Sequence, residues 1–249
     1  MDNKQQPHPA PGDRDYYFEQ IGDDFDGWMS DYDVFRRVEL IRKHMTSHTA
    51  GKSCLEIGCG TGRISQVLRR LVGTLTVTDL SEKLARETGQ RLNVSWKQQD
   101  ACSLRLPDES FDVVISSECI EHTPDPAEAL REMLRVLKPG GLIVVTSPNK
   151  VWYPILWLSM VTGIRKFAGI ENWLFPWEAA KVLRDGGVAK AGIDGCHLFP
   201  WQIPLAKRVL PFFDRFGKVL YPIMINYCIC GIKNESDLVL VKSFHDCSK

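Results

Sequence analysis

Residues 55–62 read Leu-Glu-Ile-Gly-Cys-Gly-Thr-Gly. The run follows a short apolar stretch, SCLEI (53–57), and precedes Ile64, Val67, Leu68 and Leu71 at helical spacing. A glycine-rich turn between a strand and a helix lets backbone come close to a ligand. The spacing is G-x-G-x-G, not the G-x-G-x-x-G of a dinucleotide site. Glu56 stands at the strand end, just before the glycines. A carboxylate there repels a pyrophosphate but suits a ligand carrying an ammonium and a sulfonium. Asp79 closes the next strand pattern, TLTVTD (74–79), where a carboxylate can accept from both hydroxyls of a ribose. Asp100-Ala101 follows a third strand pattern, VSWKQQ (94–99), where a carboxylate can accept from an adenine amino group.

The pattern continues in both directions. Val34, Val38, Ile41 and Met45 place a helix over Asp33–Met45. Ser81 caps the helix after the second strand. FDVVISS (111–117) is a fourth strand, and Asp125-Pro126-Ala127-Glu128 is a well-formed helix start. Pro139-Gly140-Gly141 stops that helix, and LIVVT (142–146) is a continuous buried strand. Strands alternating with helices predict a doubly wound α/β fold, a parallel sheet with helices on both faces. Past Asn149 the texture becomes aromatic, with five of the seven tryptophans. Pro176–Asp185 and Leu205–Tyr221 read as helices. VAKAGIDG (188–195) and INYCICGI (225–232) read as strands.

LEIGCGTG, the acid in TVTDLS, QQDACSL, FDVVISSECIEH and LREMLRVLKPGGLIVVTSPN fall in the order and spacing of one family. They resemble the class I S-adenosylmethionine-dependent methyltransferases. The resemblance covers roughly residues 50–150, and E-x-x-E-H-x-P-D-P is most similar to the quinone-pathway O-methyltransferases and their small-molecule relatives. It implies a Rossmann-like seven-stranded sheet, mostly parallel with the last strand antiparallel; the aromatic segment 151–221, outside the resemblance, reads as a helical, aromatic-rich cap over the substrate. It implies S-adenosylmethionine as cofactor, contacted by Glu56, Gly58, Cys59, Gly60, Gly62, Asp79, Leu80, Asp100, Ala101, Ser117 and Glu118. In quinone-type relatives an arginine near Arg36 and Arg37 pairs with the cofactor carboxylate. Arg37 is therefore a further candidate, and a solvated basic face is the alternative. The domain reading is a disordered tail (1–14), an N-terminal helical segment (15–50), a cofactor-binding core (51–150), a substrate cap and the end of the fold (151–224), and a final strand and tail (225–249).

Methyl transfer from a sulfonium is an in-line displacement. The protein aligns the nucleophile, excludes water and, for a hydroxyl, takes a proton. His122, with Glu121, stands just past the fourth strand and is the candidate base. A histidine that only hydrogen-bonds its loop is the plain alternative. Glu118, Glu121 and His122 can also be read as holding a divalent cation that lowers the pKa of a catechol-like hydroxyl. Trp152, Tyr153, Trp157, Trp173, Phe175, Trp177 and Trp201 could stack on a flat, apolar substrate or pack a helical subdomain.

Composition narrows the partners. Lys+Arg and Asp+Glu both count 31, so no global field draws in nucleic acid. Methyltransferases of DNA bases and glutamines carry an Asn/Asp-Pro-Pro-aromatic run after the fourth strand, and this chain has Ser-Glu-Cys-Ile. The expected partner is a small, hydrophobic molecule. The polar, Pro-rich start does not read as a signal peptide, and several of the eight cysteines sit in apolar runs, so a cytoplasmic location is expected. Val151–Ile164 is about 14 residues, too short to span a bilayer, and reads as a buried or interfacial helix. Arg165, Lys166, Lys207 and Arg208 among apolar neighbours allow peripheral membrane contact. Two other classes compete: a nicotinamide-dependent oxidoreductase and a non-catalytic cofactor-binding protein of the same fold.

Overall fold

The computed structural model describes residues 30–45, 49–162 and 171–235. The expected disordered tail, Arg165, Lys166 and the C-terminal tail lie outside these residues. Helix α1 (Asp31–Arg42) leads into strand β1 (Ser53–Ile57) and the short helix α2 (Ser65–Leu68). Then come β2 (Thr74–Asp79), α3 (Glu82–Leu92), β3 (Ser95–Gln98), β4 (Phe111–Ser117), α4 (Pro126–Val136) and β5 (Leu137–Pro148). The remainder is α5 (Tyr153–Val161), α6 (Pro176–Asp185), β6 (Gly192–Cys196), α7 (Ala206–Phe213), α8 (Gly217–Leu220) and β7 (Asn226–Ile232).

The sheet runs β3-β2-β1-β4-β5-β7-β6. β1 to β5 pair in parallel, and β7 is antiparallel to both β5 and β6. This is the seven-stranded, mostly parallel sheet with an antiparallel last strand. Strands covered on both faces carry unbroken apolar runs, and Val113, Val114 and Ile115 are all buried. Period-2 alternation then splits them. Val114 packs with Leu130, Met133, Ile143 and Leu183 under α4 and α6, while Val113 and Ile115 pack with Ile41, Cys54, Val144 and Cys228 under α1. Burying one leucine of this kind is worth about 1.5–3 kcal/mol, so α4, with Leu130 and Met133 fully buried, is fixed by packing more than by propensity.

Four local expectations change. Pro139-Gly140-Gly141 does not lie outside β5. It forms a bulge within it, between the Phe111–Leu137 and Val113–Leu142 pairs. Pro139 cannot donate to the ladder, and Gly140, at φ +74°, donates to Lys233 O at 2.8 Å instead. The helix expected over 64–71 is α-helical only over Ser65–Leu68, because Arg70 and Leu71 tighten to i−3 bonds. The helix expected over 205–221 is broken into α7, a 3₁₀ turn (Asp214–Phe216) and α8, with Pro211 interrupting the amide ladder. Gly217 is needed there, since a Cβ would fall 2.1 Å from Asp194 Oδ1. The strand expected over 188–195 is confined to Gly192–Cys196.

The 151–224 interval, read as a cap and the end of the fold, supplies a strand of the sheet and part of the core. β6 pairs with β7, and Ala179, Ala180 and Leu183 of α6 are core residues. α5 is a helix but not a buried one: Ile155, Trp157, Leu158 and Val161 are 52–64% exposed.

Candidate functional site

The carboxyl ends of β1, β2 and β4 form one edge, and the glycine loop crosses it. Gly58 N and Cys59 N both donate to Thr78 O at 2.9 Å, which pins the loop to β2. Gly58, Gly60 and Gly62 have φ of +74°, +49° and +78°, a region that side chains other than glycine's rarely adopt. Gly60 N donates to Asp79 Oδ2 (2.8 Å) and Ser81 N to Asp79 Oδ1 (3.0 Å). A carboxylate offers about four lone-pair sites, so each oxygen keeps capacity for a further donor. Thr88 Oγ1 donates to Gly60 O (2.9 Å), and Arg91 to Thr61 O. Arg63 pairs with Asp31, tying the loop to α1.

Gly58 and Gly62 are there for close packing and Gly60 is not. A Cβ on Gly58 would lie 2.3 Å from Cys119 Sγ, and one on Gly62 would lie 2.6 Å from Thr88 Cγ2. A Cβ on Gly60 would meet nothing within 4 Å, so open space lies above the loop. Gly58→Ala is therefore expected to destabilise the fold by about 3 kcal/mol or more, through both clash and positive φ. Thermal unfolding measures this, and adding Cys119→Gly should recover part of the loss. An unchanged melting temperature for Gly58→Ala would reject the close packing.

Four carboxyls crowd this edge. Burial pushes Glu56 up to about 8, with Asp79 adding to it and the Ser65 hydroxyl opposing. Glu56 Oε2 is buried with no hydrogen-bond partner. Asp79 is also raised by burial, against the pull of its backbone donors. Glu118 follows β4 at φ +51° and accepts from Asn226 Nδ2 at 2.8 Å. Burial pushes it up to about 7, with Arg37 opposing. Glu121 is buried on the 3₁₀ turn Ile120–His122, and its Oε2 accepts from Ser147 Oγ at 3.3 Å. Burial, then the neighbouring Glu118, hold its carboxyl well above the usual range.

The other candidates are engaged locally. Ser117 Oγ lies 2.9 Å from Thr146 Oγ1 across the β4–β5 ladder. Asp100 Oδ1 accepts from Cys102 N at 2.9 Å, closing the turn in which Ala101 is buried. Leu80 O accepts from Gln98 Nε2 at 2.9 Å. Arg37 is buried and donates to Asp33 Oδ2 at 2.5 Å, with Glu118 near enough to raise its pKa against burial. Arg36 pairs with Asp214 at 2.7 Å. His122 is half-buried, and its N–H donates to Cys119 O at 3.0 Å.

The cation-site expectation is not supported. Among the described residues no group of three or more His, Cys, Asp or Glu side chains could hold a metal ion. Glu118 accepts from Asn226 and Glu121 from Ser147, so each carboxyl already has its own protein donor.

His197 was not a sequence candidate. It follows β6 at φ +63°, fully buried, with Nδ1 3.6 Å from Asp33 Oδ1 and its ring against Trp201 and Tyr32. Burial lowers its pKa, with Asp33 and Asp214 opposing. Its position at a strand's carboxyl end was a readable signal. Its convergence with Asp33 and Asn226 was not.

A twisted sheet of this order, with a glycine loop and an acid on the second strand, defines an α/β enzyme that binds its cofactor across the carboxyl edge. A methyltransferase-domain family model matches residues 55–145. A ubiquinone biosynthesis O-methyltransferase from Methylococcus capsulatus is 32% identical over 182 residues, 66% of this chain and 73% of that protein. A protein named for S-adenosylmethionine-dependent methyl transfer, from Mycolicibacterium smegmatis, is 35% identical over 123 residues. That match spans 48% of this chain and about half (47%) of that protein. The fold matches an S-adenosylmethionine-dependent methyltransferase structure from Thermotoga maritima with a TM-score of 0.67, at 19% identity, over 88% of this chain and 99% of the other. The chain belongs to the S-adenosylmethionine-dependent methyltransferases. The nicotinamide oxidoreductase reading is accordingly set aside.

Proposed function

We propose that the enzyme O-methylates a small, apolar or aromatic hydroxyl compound, in the cytoplasm and in peripheral contact with a membrane. The observation that carries this reading is the turn leaving β4. It carries buried Glu121 and half-buried His122 at consecutive positions of the 3₁₀ turn that follows Cys119, the residue packed against Gly58 of the glycine loop. The relatives support the oxygen acceptor: the Methylococcus capsulatus protein and one from Coxiella burnetii, 28% identical over 74% of its length, are both named for O-methylation in ubiquinone biosynthesis.

The residues present fit S-adenosylmethionine. Glu56 Oε2 is a buried acceptor without a donor, Asp79 keeps free lone pairs for the ribose, and the space over Gly60 is open. Glu56, Gly58, Gly60, Asp79 and Asp100-Ala101 would hold it, with Arg37 and Glu118 at its amino-acid end. When bound, it supplies the electrophilic methyl group. His122 takes the proton from the acceptor hydroxyl as oxygen attacks. Glu121, kept neutral by burial, orients the turn and accepts from Ser147. Trp173, buried beside Tyr153, helps exclude water from that edge.

The test is a transfer assay with methyl-labelled S-adenosylmethionine and paired acceptors: an alkyl-substituted catechol and the corresponding aromatic amine. Labelled methyl ether from the catechol, with little label on the amine, is the expected result. Label on the amine alone would reject the oxygen assignment. Cofactor binding without turnover on a broad acceptor panel would favour the non-catalytic reading.

A further inference from the structure

Thirteen of the sixteen exposed large hydrophobic side chains among the described residues fall in two short stretches, 151–161 and 203–223. The stretches are joined. Trp152 Nε1 donates to Ile223 O at 2.9 Å, and Asn149 Nδ2 donates to Tyr221 O and Pro222 O at 3.1 Å each. The root of α5 is thus fastened to the turn that follows α8. The two exposed stretches adjoin at that joint.

The second stretch has an unusual pattern. Ala206, Leu210, Asp214 and Gly217 face inward, at helical spacing. Val209, Phe212, Phe216 and Val219 form a second stripe, 44–73% exposed, on the outward face. A surface helix normally puts polar residues there. Lys207, Arg208, Arg215 and Lys218 flank that stripe and are exposed. The stretch's one acid, Asp214, is buried and paired with Arg36. α5 carries no charge at all, and Ile155, Trp157, Leu158 and Val161 are exposed on it.

From the joined apolar faces and their exclusively basic exposed charge, we infer that α5 and the α7–α8 stripe form one docking surface for an anionic lipid bilayer. A protein of zero net charge that gathers four basic residues, without an ion pair among the described residues, around an apolar stripe has a local potential its total does not reveal. Apolar side chains flanked by Lys and Arg are the composition of an element lying in the headgroup region. α5 has nine residues, so it lies in that plane or dips into it, and among the described residues no helix is long and apolar enough to cross a membrane. The inference extends the peripheral contact proposed above. It does not depend on the acceptor's chemistry, because the test uses vesicles without any acceptor.

The experiment is flotation of the full chain with vesicles of phosphatidylcholine alone and of phosphatidylcholine with 30% phosphatidylglycerol, at low and high salt. Binding to the anionic vesicles, weakened by salt and at least tenfold lower on neutral ones, is expected. Each basic residue near the surface contributes roughly fivefold. Lys207→Glu with Arg208→Glu should therefore cut binding by tenfold or more, and so should Trp157→Asp with Leu158→Asp. Both variants should keep the parent's melting temperature and S-adenosylmethionine affinity. No binding to anionic vesicles overturns the inference. Binding that both variants leave intact overturns this surface. A lipid-free dimer that the same variants dissociate makes the face an interface between copies instead.

Discussion

Replacing Glu56 with glutamine is expected to stabilise the cofactor-free protein and to weaken S-adenosylmethionine binding 10- to 100-fold. Glu56 holds its proton up to about pH 8 in the fold, against 4.5 in the unfolded chain. Between those values the native state binds the extra proton, so stability falls as pH rises through the window. The accumulated penalty at pH 7 is on the order of 3 kcal/mol. Glutamine has the same shape and no charge to desolvate. A gain of about 3 kcal/mol should appear as a rise in melting temperature of roughly 6–12 °C at this chain length. Near pH 4.5 the gain should vanish. Glu118, raised to about 7, carries the same sign over a narrower window, so the parent protein should melt higher at pH 5.5 than at pH 8. A cationic ligand reverses the preference, because it favours the ionised carboxylate. Parent affinity for S-adenosylmethionine should therefore rise between pH 6 and 8, with proton release. The glutamine variant should be weak and flat, and the neutral thioether product should show less pH dependence. Scanning fluorimetry and calorimetry at several pH values measure all of this. A variant less stable at pH 7, or one with unchanged affinity, would place the charge requirement elsewhere.

The placement of the glycine loop, Glu56 and Asp79 was legible because it is local. Each lies at a strand end or in the turn after it, and strand ends are what hydrophobic patterning marks. The sheet's composition was legible for the same reason. Lost from view were groups brought together from distant segments. Asp33, Glu118, His197 and Asn226 come from α1 and the ends of three strands, and no spacing in the chain announces them. Proximity in sequence also misled. Glu118, Glu121 and His122 look like a ligand set on paper, but the two carboxyls take Asn226 and Ser147 as donors, and among the described residues no metal-holding cluster of three forms. Of the apolar run read as a buried or interfacial helix, Tyr153–Val161 is helical, and its Ile155, Trp157, Leu158 and Val161 are exposed rather than buried. Hydrophobicity sets what a segment avoids. Which neighbour covers it depends on the remainder of the fold.

Glu121 and His122 are expected to respond oppositely to substitution. His122→Ala should lower kcat by about 10²–10³, the usual cost of losing a positioned base, while S-adenosylmethionine affinity stays within about twofold. Glu121→Gln should keep activity within about threefold at neutral pH, because burial and Glu118 already hold that carboxyl protonated. Glutamine then replaces one neutral group with another, and its side-chain oxygen can still accept from Ser147. Glu121→Ala is a different experiment. It opens a cavity and strands a buried hydroxyl, and should cost about 2–4 kcal/mol of stability. The parent and glutamine variant should diverge only where Glu121 ionises beside Glu118, which burial moves well above the usual carboxylate range. Steady-state rates across pH 6–10, with unfolding curves for each variant, separate the roles. A loss above about 100-fold in Glu121→Gln at pH 7, with an intact fold, means an ionised carboxylate does the work. The base is then Glu121, and His122 becomes its neighbour rather than the proton acceptor. An unchanged rate in His122→Ala leads to the same reassignment.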